Sequence, residues 1–256
     1  MTAPRIHRGG LLMEPPMRRI AVTLTLILSL TLGVAVAEER VDLELVLLAD
    51  ASRSIDDAEI RFQRQGYATA IVHPEVLDVI TGGYYQRIAV TYVEWGEASS
   101  QDVVVPWTVI DGPDSAARFA ADLMAAPRKA FGPNAIGSAL ATAQALIQTN
   151  DIMGSRQVID FSGDSAYTWG GVPLPEARAY ALADGTVING LAILCRERDC
   201  GGRPVDYDLE AAFARYITGG PGSFVVTADG RDSFAEAVRR KLVLEIAGLP
   251  MPKTDG

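Results

Sequence analysis

From residue 41 onward the chain alternates short apolar runs with longer stretches whose apolar residues recur at helical spacing. Residues 43–48, Leu-Glu-Leu-Val-Leu-Leu, read as a buried strand ending at Ala49-Asp50. Ser54 followed by Asp57 resembles a helix start, and 55–72 reads as a helix that His73-Pro74 interrupts before a short helical piece over 74–80. Residues 88–93 and 101–109 read as a second and a third strand, and the short link between them predicts a hairpin and hence an antiparallel pair. Helices follow over 114–125, with Phe119 and Leu123 on one face, and over 137–148. Strands over 158–161, 187–194 and 223–227 then alternate with helices over 175–183, 209–217 and 233–246.

Strands separated by helices require crossover connections, which place the strands parallel and cover both faces of the sheet. With right-handed crossovers the expected fold is α/β and doubly wound: a mostly parallel six-stranded sheet with one antiparallel edge strand and helices on both faces. No internal repeat or low-complexity tract interrupts this pattern.

The first 37 residues stand outside it. Met17-Arg18-Arg19 is followed by an apolar run over 20–34, then by Ala35-Val36-Ala37 and the acidic Glu38-Glu39. Positive, apolar and small residues in that order predict a secretory signal peptide, with a core at 17–37 inside a leader of 1–37. The competing reading is an uncleaved anchor, and Met1, Met13 and Met17 are all candidate starts. Residues 38–248 are then expected to form one domain and 249–256, with two prolines, a loose tail. The domain is expected outside the cytoplasm, periplasmic or extracellular, with no further segment apolar enough to insert in a membrane.

The chain carries 23 Lys and Arg against 32 Asp and Glu, a net charge of −9, and loss of the leader with its four Arg and one Glu makes it −12. Such a surface argues against nucleic acid and anionic membranes as partners and tolerates a bound cation. Cys195 and Cys200 are the only cysteines, separated by four residues. In an oxidising compartment they pair most simply as a local disulfide; the alternative, half of a metal site, would need further soft ligands, and His73 is the one histidine past the leader.

Functional loops of a doubly wound sheet gather at the carboxyl ends of its strands, near the point where strand order reverses. Asp50-Ala51-Ser52-Arg53-Ser54 follows the first strand with one carboxylate and two hydroxyls at alternate positions, and Gly163-Asp164 follows the strand at 158–161. These are hard oxygen donors, suited to Mg²⁺, Mn²⁺ or Ca²⁺ rather than zinc.

Asp-x-Ser-x-Ser in that position resembles the opening motif of the metal-ion-dependent adhesion site of von Willebrand factor type A domains. Those domains also carry a T-x-T-G-x-A-L pattern at a mid-chain helix and a second aspartate after strand four. Here the corresponding stretches are Asn134-Ala135-Ile136-Gly137-Ser138-Ala139-Leu140 and Val158-Ile159-Asp160-Phe161-Ser162-Gly163-Asp164. The third ligand position thus falls on Asn134 instead of threonine, and Ser165 stands where the family commonly has glycine. Tyr92-Val93-Glu94-Trp95 and Val105-Pro106-Trp107 further resemble a bacterial branch of secreted members of unknown function.

The resemblance implies a non-enzymatic interaction module in which Ser52 and Ser54 contact the cation directly. Asp50 and Asp164 would act mostly through water, Asn134 would complete the set, and a carboxylate from a protein partner would fill the open position. Tyr167 and Trp169, on the loop after Asp164, are candidates for partner contact at the rim or for packing on the sheet. A metal-free scaffold of the same fold and a metal-dependent hydrolase are the alternatives. The hydrolase lacks a G-x-S-x-G elbow and a histidine predicted near Ser52. Ser54 as a helix cap, Asn134 as a turn residue, Asp160 as a group hydrogen-bonded to a loop near the site or lying at an exposed edge of its strand, and Glu94 as an outer residue of the rim are open readings of single positions.

Overall fold

The computed structural model describes residues 39–194 and 205–248, together with Thr2. Chain contacts divide the protein into units 1–37 and 38–256, and the fold below is that of the second. Apart from Thr2, the expected leader over 1–37 lies outside the described residues, as do the expected tail from 249 onward and Cys195 and Cys200 with their expected disulfide.

Six strands form the main sheet: β2 (Glu44–Asp50), β3 (Ile88–Trp95), β4 (Gln101–Ile110), β6 (Gln157–Gly163), β7 (Val187–Ile193) and β8 (Val225–Ala228), in the order β4-β3-β2-β6-β7-β8. All neighbours are parallel except β3 and β4, the anticipated hairpin. Pro106 lies in β4, an edge strand, where a missing amide donor costs least.

Every residue of β2 is buried because helices cover both faces. Leu45 and Leu47 point into a core shared with Tyr67 of α1 (Asp57–Ile71), Phe119 of α3 (Pro113–Ala125) and Phe234 of α7 (Arg231–Ala247). Val46 and Leu48 point the other way, into a core with Leu140 of α4 (Ile136–Gln148), Ala177 of α5 (Leu174–Ala183) and Phe213 of α6 (Leu209–Tyr216). The period of two in a strand thus feeds two separate cores.

Two elements escaped the pattern. β1 (Glu39–Val41) and β5 (Ile152–Gly154) pair in parallel as a separate two-stranded sheet. Three residues are too few to show a period. The buried Glu44 carboxylate holds this region, accepting from Gly154 N–H at 2.8 Å and Asn150 Nδ2 at 2.7 Å.

The first helix also starts later than its sequence suggests. Asp56, not Ser54, is its N-cap: its Oδ1 accepts from Ala58 and Glu59 amides at 2.7 and 2.9 Å, and Glu59 reaches back to the Asp56 amide at 3.1 Å. This reciprocal capping box leaves the Ser54 hydroxyl free of the helix. His73 caps α2 (Pro74–Thr81), its Nδ1 accepting from the Glu75 amide at 3.3 Å.

Asp160, in the middle of β6, is neither at an edge nor bonded to a loop of the site. It is buried and paired with Lys241 Nζ of α7 at 2.6 Å, and the same ammonium bonds Glu245.

Candidate metal centre

The chain runs from β2 outward through β3 to β4, then crosses to the far side of β2 to place β6. The order therefore reverses at β2 and β6, whose register sets Leu48 opposite Phe161. Two residues on, Asp50 stands beside Gly163, and Asp164 opens the loop above. A Cβ on Gly163 would lie 3.2 Å from Asp50 Oδ2, so glycine here leaves the space that this oxygen faces.

The Asp50 side chain is fully buried. Oδ1 accepts from the Ser52 amide at 2.8 Å, whereas Oδ2 has no hydrogen-bond partner. Ser52 Oγ lies 3.3 Å from Ser54 Oγ, which donates to Asp164 Oδ1 at 3.3 Å. Three of the five anticipated side chains, Ser52, Ser54 and Asp164, thus form one chain of oxygens across the switch point, and Asp50 joins it through the Ser52 amide. Asn134 joins through its backbone: its carbonyl accepts from the Trp169 amide at 2.6 Å and from the Thr168 hydroxyl at 3.4 Å. Its half-buried side chain has no hydrogen-bond partner among the described residues.

Burial, followed by the nearby Asp164 carboxylate, pushes the Asp50 carboxyl up to about 8. Bonds from Ser52 pull it back only in part, and the Asp164 amide eases the charge without reaching hydrogen-bond geometry at Oδ2. Burial likewise raises Asp164, and the Ser54 hydroxyl opposes the rise. A buried carboxyl whose ionisation a half-buried neighbouring carboxylate opposes forms a place where positive charge is missing.

The donor set fits a divalent ion. Adjacent oxygens on an octahedron with bonds of about 2.1 Å stand about 3.0 Å apart, and longer bonds widen that edge. The two 3.3 Å oxygen separations fall in that range. Among the described residues no three His, Cys, Asp or Glu side chains gather as a metal cluster, and the set here is two carboxylates, two hydroxyls and an amide.

The loop from 51 to 55 is held from below. Arg128, nearly buried, donates through Nη2 to the Ala51 and Ile55 carbonyls, both at 2.9 Å, and through Nη1 to Asp57 at 2.9 Å. The Arg53 amide bonds the Gly132 carbonyl at 2.8 Å and Gln63 Nε2 bonds the Asp50 carbonyl at 3.2 Å. Glu94 is not at the rim: it is fully buried against Arg64, 2.7 Å away, which in turn holds the Ala126 and Pro127 carbonyls. A lone arginine in a loop gives no sequence signal for such clamping. Replacing Arg128 with Ala is expected to cost about 2–3 kcal/mol, since several charge-assisted bonds to buried carbonyls vanish together. Urea unfolding checks this, and Arg128→Lys is expected to recover little, because an ammonium does not reproduce the planar fork.

The loop after Asp164 is fixed by groups that sequence reasoning passed over. Thr168 Oγ1 accepts from the Ile136 amide at 3.2 Å, Ser138 Oγ from Val172 at 3.0 Å, and Tyr207 from Ala166 at 2.9 Å. A Cβ on Gly137 would fall 2.0 Å from the Val172 carbonyl, so the start of α4 admits only glycine under this loop. Tyr167 and Trp169 both project from the surface, 65% and 69% exposed, although the Tyr167 ring rests 5.2 Å from that of Tyr207.

Solved structures share this architecture at low identity. The proximal thread matrix protein 1 from the mussel byssus, solved with a zinc-occupied MIDAS motif, is similar with a TM-score of 0.59 and 14% identity over 82% of this chain and 49% of that one. The vWF domain of the type V pili tip protein Mfa5 from Porphyromonas gingivalis gives 0.53 and 9% identity, covering 84% of this chain and 98% of that one. A von Willebrand factor type A protein from Catenulispora acidiphila gives 0.55 and 15%, covering 81% and 43%. This chain spans about half the length of the byssal protein it matches. No curated protein matches it in sequence. The fold is that of a von Willebrand factor type A domain, and, since residues 40–250 match the family described as "Protein of unknown function (DUF1194)", the chain belongs to that family.

Proposed function

We propose that this protein is an exported, non-enzymatic interaction module that binds a divalent cation through Asp50, Ser52, Ser54, Asn134 and Asp164 and engages a protein partner at that pole. The observation that carries this reading is Asp50 Oδ2, buried and without a hydrogen-bond partner beside a second carboxylate. A buried carboxylate oxygen left unsatisfied in a native interior calls for a water or an ion to take it, and the second carboxylate beside it favours the ion. Asp50 and Asp164 supply charge, Ser52 and Ser54 neutral oxygens, and the free amide of Asn134 a fifth donor. When bound, the ion offers an open coordination position to a partner's carboxylate. Export is supported by the order of positive, apolar and small residues over 17–37.

The ion is of the hard class by donor chemistry, Mg²⁺, Mn²⁺ or Ca²⁺. The zinc-occupied motif of the byssal protein is reason to test zinc beside them. The test is thermal unfolding with increasing Mg²⁺, Mn²⁺, Ca²⁺ or Zn²⁺. A ligand that binds only the folded state adds about 2.7 kcal/mol at a hundred times its Kd, which raises the Tm of a domain this size by about 5–10 °C. Ser52→Ala is expected to lose most of that rise. A wild-type Tm indifferent to all four ions at millimolar concentration overturns the reading.

A further inference from the structure

Two carboxylates already balance the charge of a divalent ion, so the ion alone does little to choose among acidic partners. The neighbouring side chains are in a position to do so. The Gly132 carbonyl accepts from the Arg53 amide at 2.8 Å and the Asn134 carbonyl from the Trp169 amide at 2.6 Å. Both residues are therefore moored to one strip of backbone beside the candidate centre, within the span of about four extended residues.

Arg53 is exposed and its guanidinium has no partner among the described residues. The other cations nearby are engaged: Arg128 with Asp57 at 2.9 Å and Lys129 with Asp102 at 3.6 Å. Two acids of the neighbouring loops are also in use, Asp56 capping α1 and Glu97 accepting from the Ser99 hydroxyl at 3.2 Å. Trp169 is 69% exposed and its indole has neither a ring contact nor a hydrogen bond among the described residues. Phe131, adjoining the same strip of backbone, is also 52% exposed, with the Arg128 guanidinium over its ring.

We propose that Arg53 and Trp169 form a recognition rim that selects an acidic peptide segment of a partner protein. One of its carboxylates would go to the ion, a second to the Arg53 fork, and an adjoining large apolar side chain onto Trp169. The assignment rests on the cation reading given above. A guanidinium takes a carboxylate through two parallel N–H bonds, which gives it a preference that a point charge lacks. An exposed indole moored to the same strip of backbone is the kind of surface that gains most from being covered by a partner.

The experiment pans a displayed library of random dodecapeptides against the folded domain in millimolar Mn²⁺ and again in EDTA. The expected result is enrichment, in Mn²⁺ only, of peptides with two acidic residues next to Trp, Phe or Leu. A selected peptide, made synthetically, should lose about tenfold in affinity, roughly 1.4 kcal/mol, on Arg53→Gln and similarly on Trp169→Ala. Both variants should keep the wild-type rise of Tm with Mn²⁺. If that rise is present in the wild type but no acidic peptide is enriched, or if Arg53→Gln binds like wild type, the rim is overturned and the cation site stands. Absence of any response to Mg²⁺, Mn²⁺, Ca²⁺ or Zn²⁺ in the wild type overturns both.

Discussion

Lys241→Met is expected to lower the melting temperature by about 6–20 °C. The side chain of Lys241 is fully buried in α7, where it contacts Asp160 Oδ1 at 2.6 Å and Glu245. Methionine matches its length and volume, so the loss is electrostatic: two carboxyl groups stay in the core without their cation. Removing one member of a buried charge group costs about 3–5 kcal/mol, and each kcal/mol moves the Tm of a domain this size by about 2–4 °C. The energies in such a cluster do not add. The triple variant Lys241→Met, Asp160→Asn, Glu245→Gln is expected to regain most of the loss, because the uncompensated charges go as well. Calorimetry on the single and triple variants checks both, and a single variant within 2–3 °C of wild type would show that the cluster is not a charged one.

The same cluster sets a pH dependence. Burial, then the Asp160 carboxylate, raises Glu245 from an ordinary 4.5 to about 8, against the pull of Lys241 and Asn189. The folded state therefore holds a proton there that the unfolded chain releases. The stability this gives is full below about pH 4.5 and is lost as pH rises through about 8. Glu245→Gln is expected to flatten the decline of stability over that window, measured as urea midpoints across pH.

Asp50→Asn should act in opposite directions on stability and on cation binding. Without cation the variant is expected to be more stable than wild type by about 0.5–2 kcal/mol, the range commonly gained by a single stabilising substitution. The asparagine carbonyl still accepts the Ser52 amide that now bonds Oδ1, and a neutral side chain there carries none of the desolvation and like-charge cost that the carboxylate bears beside Asp164. With Mn²⁺ the variant's Tm should not move, because the deepest anionic donor is gone. A variant that is destabilised without cation and still responds to it would remove Asp50 from the centre altogether. The paired measurement separates a binding residue from a merely structural one, which would move only the first quantity.

The strand and helix order was readable because each depends on residues close in sequence. Seven consecutive buried positions in β2 and the apolar spacing of Phe119 and Leu123 are local patterns, and the structure follows them. The hairpin of β3 and β4 was readable from the length of its link. The three-residue β1 and β5 were not, because nothing so short has a period. Ser54 was misread as a helix start because Asp56, two residues on, is the better cap once Glu59 completes the box. Glu94 and Asp160 were misplaced for another reason. A buried charge goes where its partner is, and Arg64 and Lys241 come from helices that the strands do not announce.

The sequence by itself determined the α/β alternation, the loops that end the first strand and the strand at 158–161, and the oxygen chemistry of Asp50, Ser52, Ser54 and Asp164. Those depend on side-chain type and near-neighbour spacing, which are written along the chain. Only the tertiary structure decided that β6 lies beside β2 in a register that sets Asp50 against Gly163, with Asp164 one residue beyond. It alone decided that Asp50 keeps an unpartnered oxygen there and that Arg128 holds the loop beneath. Pairing and burial join groups far apart in the chain, and their energies depend on distance in space, on which the spacing of residues in sequence is silent.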